Sequence, residues 1–400
     1  MAYSLPQDYV YLDWAATAPL CEEAARAMEP YLRPGPGNIG AGANANSLHG
    51  PGRAAFDALE AARKQLAQCL GAKRPNEVLF CCGATEADNM AVLELSEAAF
   101  QARCRKNGGT FTPRVITSSI EHDAVLEPCR RLEKQGWRVT YLAPDKNGFV
   151  TAESLERAID DDTVLVSVQM ANSEVGSIQP IADMARIAHD HGALMHTDTT
   201  QALGKVPLNV QALDVDAASF SGHKVCGPKG IGALYLKAQV PWRAFMLGGG
   251  QESGRRSGTQ NVCGAVGFAA AAQAACAMLN EETARERALR DALYAAYAEI
   301  DGVDPTVAVV AGSTDYLPNI AHALVRGIES EMLILKLDDL GFAVSGGSAC
   351  SSASLEPSHV LKAMGIPADR AFGALRVSFG RYTTENDIER FVGALKECVL

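Results

Sequence analysis

Apolar residues in this chain gather into short, strand-sized runs that end in small or polar residues. The runs alternate with stretches whose apolar positions recur at helical spacing. The pattern predicts strands at 77–80, 114–117, 138–142, 163–168, 193–196 and 217–220, with helices at 86–100, 122–136, 152–160 and 181–191 among them. Before this alternation come a short strand at 10–13, a helix at 22–32, a Gly/Asn/Ala-rich loop at 35–49 and a helix at 53–70 that Gly71 ends. A loop of that length inside a compact domain is usually functional. Alternating strand and helix means an α/β fold with a mostly parallel sheet, whose ligands sit at the carboxyl ends of the strands. Beyond about residue 280 the texture changes to a charged, Ala-rich helix at 281–300, short strands, a helix at 329–340 and a final strand and helix. We expect a large α/β domain at 16–280 and a smaller α+β domain built from 1–15 and 281–400, joined by a helix at 261–279.

Composition narrows the class. The 400 residues are 48% hydrophobic and 21% charged, with a net charge of -11. That balance argues against nonspecific DNA binding, which needs a basic footprint. Residues 1–8 have neither a basic nor an apolar leader pattern, and 262–279 is too rich in Ala and Gly to be a convincing membrane span. The expectation is a cytoplasmic protein with no membrane contact. Eleven cysteines, an odd number at irregular spacing, read as reduced thiols rather than a disulfide framework. His122, His189, His191 and His196 are scattered over different elements, so no metal site is expected.

The candidate chemistry lies just after the predicted strands. Thr85 follows Gly83 at a strand-to-helix turn, where free amides suit a phosphate, although a capping Thr is the commoner reason for such a residue. His122 could stack on a planar ring or shuttle protons, and it could also simply begin a helix. Asp198 closes a strand, and a carboxylate there could keep a pyridine nitrogen protonated; Gln201 lies three residues on. Lys224 follows two strands later, in a turn between Ala217-Ala218-Ser219-Phe220 and Ala233-Leu234-Tyr235-Leu236. Alone it reads as a surface lysine, but a desolvated Lys can also act as a Schiff-base nucleophile. With Asp198, a phosphate turn at Thr85, and Ser221 and His223 as phosphate donors, it forms a constellation suited to pyridoxal 5'-phosphate. A Gly-rich loop at 248–259 fits a phosphate or an interface. Arg376, inside an apolar strand, needs a carboxylate partner, either structural or from a substrate. Cys350 sits in a loop of small residues at 345–354, and an exposed thiol in a mobile loop suggests reactivity.

Together these motifs resemble the cysteine desulfurases of the NifS/IscS type. The resemblance runs from Tyr11-Leu12-Asp13 to Arg381-Tyr382-Thr383-Thr384-Glu385. It rests on Gly83-Ala84-Thr85-Glu86, Glu121-His122, Asn172-Ser173-Glu174-Val175-Gly176, His196-Thr197-Asp198, Ser221-Gly222-His223-Lys224, Arg256-Ser257-Gly258-Thr259 and Gly347-Ser348-Ala349-Cys350. The stretch that follows, Ser354-Leu355-Glu356-Pro357-Ser358-His359, looks like the group with the long cysteine loop. The resemblance implies fold type I of the pyridoxal-phosphate transferases, with a mostly parallel seven-stranded sheet in the large domain. It implies that Lys224 holds the cofactor covalently and moves the substrate Cα proton. Asp198 would pair with the ring nitrogen, and His122 would stack on the ring and act as acid/base. Gln201 and Asn172 would lie near the ring hydroxyl or the substrate. Ala84, Thr85, Ser221 and His223 would meet the phosphate, with Thr259 reaching it from the other subunit of a homodimer. Arg376, helped by Asn44, would hold the substrate carboxylate, and Cys350 would accept sulfur from L-cysteine. The partner would be a sulfur acceptor, either an iron–sulfur scaffold or another thiolation carrier. Ser173, Thr199, Cys81-Cys82 and Asn44-Ala45-Asn46-Ser47 depart from the usual pattern, and with Leu400 as the last residue the expectation is that the tail some members use to engage a scaffold is missing. Selenocysteine lyase, another aminotransferase of this fold, and a catalytically dead scaffold are the competing readings.

Overall fold

The computed structural model describes residues 8–32, 42–347 and 357–399. Twelve strands are assigned among them: β1 Val10–Tyr11, β2 Val78–Cys81, β3 Arg114–Ser118, β4 Arg138–Leu142, β5 Thr163–Ser167, β6 Leu194–Asp198, β7 Ala217–Ser221, β8 Gly232–Leu236, β9 Val303–Pro305, β10 Ile320–Val325, β11 Phe342–Ala343 and β12 Ala374–Ser378. Seven of them form one sheet in the order β2-β8-β7-β6-β5-β3-β4. All its pairings are parallel except those of β8, which runs antiparallel to both β2 and β7. The reversal has a local cause. Residues 222–231 alone join β7 to β8, and a parallel neighbour would need a crossover of a dozen or more residues.

Every residue of β2, β5, β7 and β8 is buried, which explains why these strands read as runs rather than alternations. The strand expected from 193 to its close at Asp198 is Leu194–Asp198, although His196, Thr197 and Asp198 are polar. Neighbouring strands satisfy the His196 ring: Nδ1 meets Ser167 Oγ at 2.8 Å and Nε2 meets Ser219 Oγ at 2.9 Å. Burial pushes this imidazole down to about 3, so it is neutral. The helix predicted at 86–100 is longer, helical from Ala84 to Asn107, and it passes through a π-type stretch at Met90–Leu95. Ser96 closes that stretch by donating its hydroxyl back to the Val92 and Leu93 carbonyls, which competes with the regular ladder.

The helix Val262–Ala277 packs against Gly50–Leu70 and Glu22–Leu32. It is the buried helix that the Ala/Gly composition implied, and among the described residues no single helix is long and apolar enough to cross a membrane. The remaining strands form an antiparallel sheet in the order β12-β10-β9 and a two-residue parallel pair, β1 with β11. That pair ties the beginning of the chain to its last third, and β12 carries Arg376.

Candidate active site

β2, β6 and β7 all run in one direction, so their carboxyl ends lie on the same edge of the sheet. A cavity of about 540 Å³ opens there. Its lining brings together Ala84, Thr85, His122, Asp198, Gln201 and Ser221, and also His223, Lys224 and Arg376. Nine of the residues singled out in the sequence thus share one wall. Lys224 is closer to Asp198 in the fold than the two-strand spacing expected, because β6 and β7 are direct neighbours.

Lys224 sits in the one-turn helix Gly222–Val225 between β7 and β8. Its Nζ donates to the carbonyls of Ala15, at 2.6 Å, and Ala16, at 2.8 Å. Burial, then the positive charges of Lys205 and Arg376, pushes this amine down to about 7. Neutral amine is therefore abundant at physiological pH, as a nucleophilic lysine requires. His223 beside it is pushed down to about 4 by burial and by the nearby lysines, and its Nδ1 lies 3.1 Å from Thr17 Oγ1.

Asp198 accepts from the Thr200 amide at 2.8 Å. His122 caps the helix Asp123–Lys134, its Nδ1 accepting from the Ala124 amide at 3.0 Å. One His122 ring nitrogen thus caps a helix while the residue lines the cavity. Thr85 and Ala84 occupy the first turn of the helix that starts at Ala84, where amides have no intrahelical acceptor. The close approach of β8 to this turn requires Gly232, since a Cβ there would lie 2.6 Å from the Gly83 Cα.

Arg376 is fully buried. Its Nη2 donates to Asp13 Oδ1 and its Nη1 to the Ser173 carbonyl, each at 2.9 Å, while Nε has no partner among the described residues. The carboxylate partner that an Arg in an apolar strand needs is therefore Asp13, and Nε is left over. Ser173 contributes through its backbone, so the departure from the usual Asn leaves this contact intact. Thr199, another departure, is buried and donates to the Ser219 carbonyl at 2.6 Å.

The remaining residues lie elsewhere. Asn172 does not line the cavity; its Oδ1 accepts from the Glu174 and Val175 amides and its Nδ2 donates to the Ile120 carbonyl, so the side chain holds a turn. Asn44 is exposed and accepts from the Asn46 amide at 2.9 Å. Thr259 is exposed and also lies off this lining. Cys350 lies outside the described residues.

The fold also recruits groups that the sequence did not single out. Asp88 lines the cavity and is buried, with neither carboxylate oxygen hydrogen-bonded among the described residues. Burial and the Asp198 charge raise it well above the usual carboxylate range. Glu121 is pushed up to about 8 by burial, although its Oε1 accepts from the Gln169 amide at 3.0 Å. Asp88 and Glu121 thus both feel the Asp198 charge, which with burial favours their protonated forms. The signal for Asp88 was its place one turn beyond Thr85 on the same helix, hidden among ordinary helix polar residues.

A buried ion pair fastens the 248–259 loop to the phosphate-type turn. Arg256 makes a two-pronged contact with Glu86, at 2.7 and 3.0 Å, and the same carboxylate accepts from the Cys82 amide. Breaking such a pair strands the remaining charge. Arg256→Ala is therefore expected to weaken cofactor retention about 10-fold and lower the melting temperature by about 2 °C, a loss of about 1–2 kcal/mol. Equilibrium dialysis and calorimetry would measure both, and unchanged retention would refute the coupling.

Residues 10–391 match the aminotransferase class-V family, and the chain belongs to it. Within that family its relatives are cysteine desulfurases. It is 40% identical to the cysteine desulfurase IscS of Dictyoglomus turgidum over 98% of this chain and 94% of the relative. It is 42% identical to that of Methanosarcina thermophila over 98% of this chain and 92% of the relative. Among solved structures it resembles a NifS-like protein, with a TM-score of 0.86, 36% identity, and coverage of 97% of this chain and 98% of the other. It also resembles SspA in complex with cysteine, with a TM-score of 0.77, 31% identity, and coverage of 94% and 100%.

Proposed function

We propose that this chain is a pyridoxal 5'-phosphate-dependent cysteine desulfurase, which converts L-cysteine to L-alanine and holds the removed sulfur as a persulfide on Cys350. The observation that carries this reading is the shared lining of Lys224, Asp198, Thr85 and Arg376 in a single cavity, in a chain whose relatives are named cysteine desulfurases. The residues fit the cofactor. First-turn amides with Ser221 and His223 suit its phosphate, Asp198 suits its ring nitrogen, and a largely neutral Lys224 suits its aldehyde. When bound, the cofactor supplies an electron sink for charge developing at the substrate Cα.

The chain's own residues do the rest. Lys224 would hold the cofactor and, as a free amine, take and return the substrate Cα proton. His122, on the same lining, would face the ring and assist proton transfer. Arg376, with its Nε unpartnered among the described residues, receives the substrate carboxylate. The Cys350 thiolate attacks the substrate sulfur. An S–S bond forms, the C–S bond breaks, and its electron pair stays on the carbon fragment, which is protonated and leaves as alanine. The sulfur then passes to a thiol of an acceptor protein such as an iron–sulfur scaffold.

A homodimer would complete the phosphate site. Thr259 is exposed and off this chain's own lining, which supports the expectation that it serves a partner subunit. A cytoplasmic location accords with ten free cysteines among the described residues.

The test is to incubate the holoenzyme with L-cysteine, quantify alanine, and map persulfide by mass spectrometry. Alanine with persulfide on Cys350 is expected, together with neither sulfide release nor persulfide from Cys350→Ala. Alanine formed without modification of Cys350 would overturn the sulfur-transfer step, and absence of alanine would overturn the class.

A further inference from the structure

Lys205 belongs to none of the motifs above, yet it is joined to Lys224 by a chain of hydrogen bonds. Its Nζ donates to Gln201 Oε1 at 2.8 Å; Gln201 Nε2 donates to the Ala15 carbonyl at 2.9 Å; and that same carbonyl accepts from Lys224 Nζ at 2.6 Å. Both lysines also line a second, small cavity of about 50 Å³, room for one or two waters, on whose wall lie Glu282, Glu286, Cys226 and Arg381. Gly204, at φ 74°, allows the approach. A Cβ there would lie 2.6 Å from the Ala275 Cβ and 3.0 Å from a methyl of Val225, the residue after Lys224.

We propose that Lys205 is a positioning residue for the Lys224 chemistry: it fixes which face of the Gln201 amide meets the cofactor, and it sets a second cation beside Lys224. This rests on the reading of Lys224 as the cofactor's anchor. The first part follows from donor inventory. An ammonium has only donors, so the Gln201 atom that meets Lys205 must be the oxygen. The amide NH₂ is thereby left to the Ala15 carbonyl, and on the main cavity, which Gln201 also lines, this end can only donate. A free glutamine would present either end.

The second part is electrostatic. Groups facing the two lysines are Asp13, Asp198, Glu282 and Glu286 on the acidic side and Arg376, Arg381 and His223 on the basic side, with Cys226 alongside. Burial pushes the Lys205 ammonium down to about 8, with Glu286 opposing the change, so it remains protonated at pH 7. After burial, the charge of Lys205 is the largest cause lowering Lys224. A neighbouring cation is a known means of holding a Schiff-base lysine neutral.

The test uses the holoenzyme and reads the pH-dependent absorbance of the bound cofactor, which reports protonation at Lys224 Nζ. Lys205→Gln keeps a donor for Gln201 but drops the charge; its midpoint is expected to rise by about one pH unit, a 10-fold change in the ratio of neutral to charged form. Lys205→Arg keeps donor and charge, and should titrate within about 0.3 unit of wild type. Lys205→Met loses both, and should also release cofactor about 10-fold faster on dialysis. A Lys205→Gln midpoint equal to wild type would overturn the proposal, as would a Lys205→Arg shift as large as that of Lys205→Gln. Wild-type protein without any cofactor absorbance would instead overturn the underlying enzyme reading.

Discussion

Lys224→Ala is expected to lower L-cysteine turnover by at least about 10⁴-fold, because the residue supplies both the covalent hold on the cofactor and proton transfer at Cα. An unperturbed lysine would be neutral in about one molecule in a thousand at pH 7.5. Burial and the neighbouring cations move this one to about 7, so most of it is neutral there. Borohydride reduction followed by mass spectrometry should add the cofactor mass to Lys224 in the wild type and nowhere in the variant. A small primary amine such as methylamine should restore part of the activity. A variant that retains a tenth of wild-type turnover would remove Lys224 from the mechanism. The same depressed pKa has a consequence in the cofactor-free protein. The folded chain favours the neutral amine, whereas the unfolded chain stays protonated up to about pH 10.5. The stability contributed by Lys224 is thus complete above that pH and is lost as pH falls through about 7. Melting curves from pH 6 to pH 10 should show this component in the wild type and lack it in Lys224→Ala.

Arg376→Lys carries the second large effect. The substitution keeps the charge but not the planar fork, which spans Asp13 and the Ser173 carbonyl while its Nε stays unpartnered among the described residues. With the guanidinium fully buried, loss of its fit to a carboxylate costs about 2–5 kcal/mol, so kcat/KM for L-cysteine should fall on the order of 10² to 10³-fold, chiefly through KM. A substrate analogue without a carboxylate, cysteamine, should be affected far less, and the ratio between the two separates substrate binding from a structural defect. Equal losses on both substrates would assign Arg376 to scaffolding through Asp13 alone.

Both predictions bear on residues that could be picked from the sequence, and for the same reason. Lys224, Asp198 and Thr85 each follow a strand-sized apolar run, and in an α/β sheet those positions share one edge. The direction of β8 was not legible as such, yet the short turn around Lys224 dictates it. What escaped was of a different kind. Asp88 looks like any polar residue on a helix, Lys205 like any lysine after a glycine, and Asp13 like the end of a short strand. Their meaning lies in contacts with residues far along the chain: Asp13 with Arg376, and Lys205, through Gln201 and Ala15, with Lys224. Asn172 shows a second kind of long-range meaning, since its polar atoms hold a turn and meet the Ile120 carbonyl.

By itself, the sequence determined the alternation of strand and helix, the edge of the sheet on which chemistry occurs, and the residue types able to perform it. Periodicity and turn chemistry are local, and a short window of residues carries them. Only the tertiary structure decided which of those residues share a cavity and what charge each one holds. Burial and long-range neighbours set a pKa, and neither is a property of any single stretch of chain. Lys224 is a reactive amine because β6, β7, the backbone at Ala15 and Ala16, and the cations of Lys205 and Arg376 converge on it.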